Sequence, residues 1–520
     1  MKRDELLFLG VDFASVGGFV YAYSRESKEP IVVFNAPMVF GVDAKGNEHY
    51  GESAENLGII EGYKVDDVKR RIRQSPESLN EVVQLGDKSY TNKEILEKQI
   101  VNMMNCVYQN LREKGYDLNK IDGIVYTVPC GIEAGALTAT GYTNLLRDVL
   151  QRCSGLAKNK IIATKEPTMA AFNLLHRLKK LDVLNEDERI FVADIGGGTT
   201  DHSFIRYNAD EGDIDVLTTD GELFLGGKDY TEELFKIVVE KLKEQSVVLD
   251  ENDKMLMARI CNASEEMKID LSKSKFTAKA FEINDDNVVV TVSRTEFEAA
   301  CEELNNRFIE SFNRTMETVS SQGERVNVIW LTGGASQMPQ IQRLIKDAYP
   351  DIPCEIDTQP ESSVARGAAL YAVESLLEPG ITGTAIGQKC LEHTYGVLYQ
   401  SLDDGQKWVH NVLLKDTQYS NQIERESEID FSALENDQMR VTFVVYESDS
   451  TEQEFPVEFG GAERANGIKV SVPIPAEYLG RARDYLVKVI MRFTAQGVFE
   501  MIITDKEGNR VGCSGEVQLA

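Results

Sequence analysis

Short apolar runs alternate with longer amphipathic stretches over residues 1–378, and this alternation predicts an α/β architecture. Leu6 to Val11 and Phe19 to Tyr23 read as two strands; Arg189 to Ala193 and His202 to Tyr207 read as two more. Asn92 to Lys114 has amphipathic helical spacing, with Asn92 as its predicted N-cap. Gly123 to Pro129 reads as a buried strand, Gly135 to Cys153 as a helix, and Val326 to Leu331 as a strand before a helix from Pro339. After Leu377 the pattern changes. Glu378 to Gly383 is punctuated like a linker, which is assigned to residues 379–390. Residues 391–520 carry short β runs at Tyr395 to Tyr399, Met439 to Tyr446, Ile468 to Val472, Tyr485 to Phe493 and Val498 to Thr504. That spacing, with no long helical period, predicts a small all-β sandwich.

Two of the predicted hairpins have turns suited to an anion. Between the strands at 189–193 and 202–207 lie Asp194, Gly196, Gly197, Gly198, Thr199, Thr200 and Asp201. Successive glycines let backbone N–H groups converge on one phosphate, and the threonines add hydroxyl donors. Flanking carboxylates repel a phosphate unless a hard cation intervenes, and Mg²⁺ is bound through one or two carboxylates plus phosphate oxygens. A solvated glycine-rich turn is the plainer reading of one such stretch. A second copy argues against it: Asp12 ends the first strand and is followed by Ala14, Ser15, Val16, Gly17 and Gly18 before the return strand. Neither copy is a Walker loop or a dinucleotide fingerprint. The pair predicts a two-lobed, actin-like ATPase with a duplicated, RNase H-like core. Gly333 and Gly334, at the end of another strand, offer a further close approach to a flat or charged ligand.

At 520 residues the chain has room for two to four domains. A net charge of −29 opposes nucleic-acid binding. No apolar run approaches a membrane span, and Asp4, Glu5 and Asp12 interrupt the N-terminal imitation of a signal peptide. Eight scattered cysteines without a C-x-x-C spacing point to a reduced, cytoplasmic setting, and five dispersed histidines argue against zinc.

The motifs in order resemble those of the seventy-kilodalton heat-shock chaperone family (heat-shock protein 70). Gly10-Val11-Asp12, Val68-Lys69-Arg70, Lys165 to Ala171, Asp194 to Asp201, Leu225 to Asp229, Glu265 to Ser272, Gly333-Gly334 and Gly367-Ala368-Ala369 carry the resemblance across the first 370 residues. It implies an ATP-dependent chaperone that hydrolyses ATP to ADP and phosphate and takes part in protein folding and the stress response. Asp12 and Asp194 are implied to hold Mg²⁺ mainly through water, with K⁺ as an additional ion. Lys69, Glu166, Asp201 and Thr199 are implied as catalytic. Asp12, Ser15, Gly196, Gly197, Gly198, Thr199, Gly226, Gly227, Glu265, Lys268, Ser272, Gly333, Gly334 and Ser336 are implied to contact ATP or ADP. Without the resemblance, Lys69 would read as a surface lysine in a basic run, and Glu265, Lys268 and Ser272 as a solvated helix face. The implied partners are unfolded or extended peptides bound by the β domain, with co-chaperones and a nucleotide exchange factor; a monomer is expected, with neither nucleic acid nor membrane as a partner.

The departures from the family pattern are specific. Ala14-Ser15-Val16 stands where the family has glycine and two threonines, Gln337 replaces an arginine that stacks on adenine, and Glu361 replaces an aspartate. No leucine-rich linker is visible; Leu376-Leu377 is its nearest match. The sequence stops at Ala520 after the last predicted strand, so a truncated, lidless family member is expected. Three rival readings remain on the same ATPase fold: a degenerate ATP-binding sensor or scaffold, a filament-type ATPase, and a small-molecule kinase.

Overall fold

Strands β1 (Leu7–Phe13), β2 (Gly17–Ser24) and β3 (Ile31–Pro37) form an antiparallel meander, since the connections between them are too short for a parallel crossover. The structure is a computed structural model that describes residues 6–15, 17–24, 27, 29–57, 62–72, 78–130, 137–180, 187–208, 213–250, 253–283, 286–377, 385–391, 393–401, 405–448, 450–457, 463–494 and 497–518. A short helix, α1 (Val68–Arg71), and a long one, α2 (Asn92–Glu113), follow. The α2 N-cap is Thr91 rather than the predicted Asn92. Thr91 Oγ1 accepts from the Glu94 amide while Glu94 Oε2 accepts from the Thr91 amide, a reciprocal capping box. Asn92 is already helical, and its buried side chain donates to Ser78 O at 2.8 Å. Next come β4 (Ile121–Val128), α3 (Leu137–Ser154), β5 (Ile161–Lys165) and α4 (Glu166–Lys180). β4 pairs with β1 and β5 with β4, both in parallel, giving the sheet order β5-β4-β1-β2-β3.

The second lobe repeats this plan. β6 (Arg189–Ile195), β7 (Thr199–Asn208) and β8 (Asp213–Leu223) form another antiparallel meander. Helices α5 (Gly227–Glu244) and α6 (Lys254–Lys273), a hairpin of β9 (Phe276–Ile283) and β10 (Asp286–Ser293), and α7 (Glu302–Ser321) are inserted. β11 (Val328–Thr332), α8 (Pro339–Ala348), β12 (Cys354–Ile356) and α9 (Ser363–Leu376) complete it. The order β12-β11-β6-β7-β8, with β11 and β12 parallel to β6, matches the first lobe strand for strand. This mixed α/β architecture with an internal duplication fits an actin-like ATPase.

Helices α4 and α9 pack between the lobes, in a core that joins Met169, Ala170, Phe172, Ala368, Ala369 and Leu370 to Phe8 and Val192 of the central strands. Glycines permit the approach. A Cβ on Gly367 would lie 1.8 Å from Met169 O, and one on Gly10 would lie 2.1 Å from the Ala369 amide nitrogen. The sequence motifs around Gly10 and Gly367 are therefore packing contacts between β1, α4 and α9.

Residues 379–384 of the expected linker lie outside the described residues, and its second half is a strand. β13 (Ala385–Cys390) pairs in parallel with β8 on the edge of the second-lobe sheet, and Leu376, the nearest match to a linker leucine, ends α9. Beyond it, two antiparallel sheets share a core that includes Val397, Val445, Val470, Met491, Phe499 and Met501. β14 (Thr394–Gln400), β15 (Lys407–Leu413), β16 (Gln418–Tyr419), β17 (Gln422–Glu426), β18 (Arg440–Ser448), β19 (Glu454–Pro456), β20 (Glu463–Pro473), β21 (Val487–Thr494), β22 (Val498–Asp505) and β23 (Arg510–Cys513) supply them. One sheet runs β19-β15-β14-β18-β20 and the other β17-β21-β22-β23. β16 instead pairs with β13, so this unit is stitched to the second lobe. Among the described residues no helix is long and apolar enough to cross a membrane.

Gly367→Ala is expected to destabilise the protein by about 1–3 kcal/mol or more through overpacking against the α4 backbone. Urea unfolding measures this; an unchanged midpoint would show that α4 and α9 yield without loss.

Candidate functional site

Duplication places Asp12 and Asp194 at equivalent positions, each the penultimate residue of the central strand of its lobe. Ligands of open α/β sheets bind outside the carboxyl ends of such strands. Asp12 is 4 % exposed, and its Oδ1 accepts from Thr127 Oγ1 at 2.9 Å. Asp201 lies directly across the β6–β7 ladder from Asp194, and its Oδ1 accepts from the Cys130 amide at 2.5 Å. Glu166 opens α4, and Lys69 stands in the short helix α1. Lys69 Nζ donates to Glu166 Oε1 at 2.8 Å and to Phe13 O at 2.6 Å, both partners being buried. Lys69, which its basic run alone would make a surface lysine, is thus half of a buried ion pair.

Four buried carboxylates here face one buried lysine. Burial raises the Asp12 carboxyl to about 7, with the Glu166 charge adding to the rise while Lys69 and Thr127 oppose it. Asp194 is pushed well above the usual carboxylate range, first by burial and then by Glu166, Asp201 and Asp12. Excess negative charge in a low-dielectric site drives protons on unless a cation enters.

Asp12, Lys69, Glu166 and Asp194 form the base of a cleft of about 490 Å³ between the lobes, within the size range of small-molecule and cofactor sites. Of the residues predicted to contact nucleotide or metal, Asp12, Ser15, Lys69, Glu166, Asp194, Gly196, Gly197, Thr199, Gly227, Glu265, Lys268, Ser272, Gly333 and Gly334 line it. Gly198, Asp201, Gly226 and Ser336 stand behind the wall. The Gly226 and Gly198 backbones stack so closely that a Cβ on Gly226 would lie 2.6 Å from the Gly198 amide nitrogen. Ser336 is fully buried and donates to Gly333 O at 2.7 Å, holding the turn in which Gly333 has φ +79°. A Cβ on Gly333 would meet Ile195 O at 2.3 Å and Asp194 Oδ1 at 2.4 Å.

Lys268 lines the cleft, but its Nζ donates to Gly227 O and Thr231 Oγ1, each at 2.7 Å, and burial lowers its pKa. It braces the loop at Gly227 as well as facing the cavity. Ser272 donates back to Lys268 O at 3.2 Å, the usual use of a serine inside a helix. Ala14, Gln337 and Glu361, the departures noted in the sequence, all face the cleft; Val16 lies outside the described residues. Sequence reasoning missed Asn35, Ala36 and Pro37, Lys228, Ile269, Lys273 and Met338. Ile269 and Lys273 were recoverable, since they follow Glu265 at helical spacings on the same face. Asn35 to Pro37 carry no local signal, because only the β1–β2–β3 meander brings them here.

Among the described residues, no three His, Cys, Asp or Glu side chains converge to hold a metal by themselves. Asp12 and Asp194 suit Mg²⁺, which keeps several waters and takes one or two carboxylates alongside phosphate oxygens. A polyphosphate on the two hairpins would complete such a shell. The family model described as Hsp70 protein matches residues 60–460, a span that runs from just before Lys69 into the two-sheet unit.

Asp194→Asn is expected to weaken Mg·ATP binding about tenfold more than metal-free ATP binding, because the amide keeps the shape and loses the charge. Calorimetric titration with and without Mg²⁺ measures it. Equal losses in both conditions would make Asp194 a packing residue only.

Proposed function

The chain belongs to the Hsp70 family of ATP-binding chaperones, and on that premise we propose that it hydrolyses Mg·ATP in this cleft and holds extended polypeptide in its β-sandwich. The observation that carries the ATPase reading is the buried Lys69–Glu166 pair among Asp12, Asp194 and Asp201, flanked by two glycine-bearing hairpins. Phosphoryl transfer asks the protein for positioning and charge stabilisation, not covalent chemistry.

In this reading the Gly196–Gly198 and Ala14–Ser15 turns cradle the β- and γ-phosphates, and Thr199 donates its hydroxyl to the γ-phosphate. Mg²⁺, when bound, supplies charge neutralisation between Asp12 and Asp194. Lys69 stabilises negative charge on the γ-phosphoryl oxygens. Glu166 accepts a hydrogen bond from the attacking water and takes its proton as the new P–O bond forms and the bond to the ADP oxygen breaks, with Asp201 behind the cleft wall. Glu265, Lys268 and Ser272 flank the nucleoside, with Gly333 and Gly334 beneath it. Ala14 removes the flexibility of a glycine beside the γ-phosphate, and Gln337 offers no cation to the base, so slow turnover is expected. Those two positions also favour a second reading, an ATP-binding sensor with little hydrolysis.

The peptide reading rests on the family and on two sheets around one core, a frame able to hold an extended segment by strand addition and side-chain pockets.

Single-turnover phosphate release, with and without an apolar extended peptide, separates these readings. The unaltered protein is expected to release phosphate, faster with peptide. Lys69→Ala or Glu166→Ala is expected to lower the rate about a hundredfold or more while leaving ATP affinity within about tenfold, since both groups act mainly on the transition state. Binding without turnover in the unaltered protein would favour the sensor, and unaltered rates in both variants would remove the pair from the chemistry.

A further inference from the structure

The residues next to Lys69 and the glycine hairpin tie the two lobes together, and the roles above leave them unused. Arg70 follows Lys69 in α1 and crosses the cleft, its Nη2 donating to Asp229 Oδ1 at 2.6 Å. The other Asp229 oxygen, Oδ2, accepts from the Gly226 amide at 2.8 Å. That loop in turn holds the phosphate hairpin: the Gly227 amide donates to Gly196 O at 2.9 Å, and the Lys228 amide donates to Gly197 O at 2.8 Å. A continuous run of bonds therefore leads from the residue beside Lys69 to the glycine turn. A second crossing lies alongside, with Lys228 Nζ donating to Asp66 O at 2.7 Å.

Arg70 is gripped from a second side. Its guanidinium carbon sits 5.1 Å from the centre of the Phe224 ring, within cation–π range. Phe224 has φ +56°, a backbone conformation strained for a bulky residue, and such strain persists where surrounding structure enforces it. Arg70 Nη1 is buried and has no hydrogen-bond partner among the described residues.

We propose that Arg70 is a positioning residue, and that the Arg70–Asp229 strap transmits lobe closure to Lys69 and the Gly196–Gly198 hairpin together. With the strap made, α1 and the hairpin are fixed at one spacing, so Lys69 and the phosphate cradle meet the same γ-phosphoryl group. With it broken, the lobes part, Lys69 loses its aim and nucleotide leaves faster. The inference rests on the ATPase reading.

Arg70→Ala and Asp229→Asn test it through two rates, single-turnover hydrolysis and dissociation of a fluorescent ADP analogue. Each variant is expected to slow hydrolysis roughly tenfold to a hundredfold, the scale of a misplaced catalytic group. ADP release is expected to quicken about tenfold by the same loss of closure. The double variant is expected to be no worse than either single one, since the two side chains act as a unit. Arg70→Lys, which keeps a cationic donor for Asp229, is expected to recover most of the hydrolysis rate; it also carries the test if Arg70→Ala does not fold. A lower melting temperature with both rates unchanged would overturn the proposal and leave the pair structural. If the unaltered protein neither binds nor hydrolyses ATP, the ATPase reading falls and the strap's role falls with it.

Discussion

A lysine buried against a glutamate, with three more carboxylates around it, sets the terms for the rest of this molecule. Removing charges from water is expensive, and Lys69, bonded to Glu166 at 2.8 Å, only partly offsets the burial of Asp12 and Asp194. Burial first, and the neighbouring carboxylates second, raise Asp12 and Asp194 above the usual carboxylate range. A fold with no further purpose for the site would have placed apolar side chains here. A divalent cation carrying a polyphosphate is the kind of ligand that relieves the imbalance, because it brings positive charge to the aspartates and negative charge to the lysine and the backbone amides.

Assembling that cluster from distant segments requires backbones to approach more closely than side chains allow. Asp12 comes from β1, Lys69 from α1, Glu166 from α4, and Asp194 and Asp201 from the β6–β7 hairpin. Gly10 and Gly367 let α9 and α4 seat between the lobes, and Gly226 and Gly333 let loops stack on the Gly196–Gly198 turn and on Asp194. Duplication does the remaining work. Two copies of one sheet plan, facing each other, put two penultimate aspartates at one cleft without any local motif linking them.

The legible parts of the sequence were those whose physics is local. Glycine runs with flanking aspartates and the strand patterns at 189–193 and 326–331 act over a few residues, whereas Glu265, Lys268 and Ser272 stand out only through the family resemblance. The cap of α2 lies one position before the predicted one because Thr91 and Asn92 are both good caps, and only the reciprocal bond with Glu94 decides between them. Strand β13 was read as linker because Ala385 to Cys390 is polar and glycine-bearing. Its strand character comes from the open edge of β8, not from its own propensity. Asn35 to Pro37 in the cleft wall and the Arg70–Asp229 crossing depend on tertiary contact alone, and no spacing in the chain announces them.

The central claim is that a cation carrying a phosphate relieves the burial and crowding that raise Asp12 and Asp194. It is tested most directly by counting protons. Calorimetry of Mg·ADP binding at pH 7, repeated in buffers of different ionisation enthalpy, reports the protons exchanged per nucleotide. With Asp12 raised to about 7 and Asp194 also raised by burial, cation binding lowers both, so a net release of protons is predicted, reduced in Asp12→Asn. Binding with no proton exchange, or with uptake, would contradict the account.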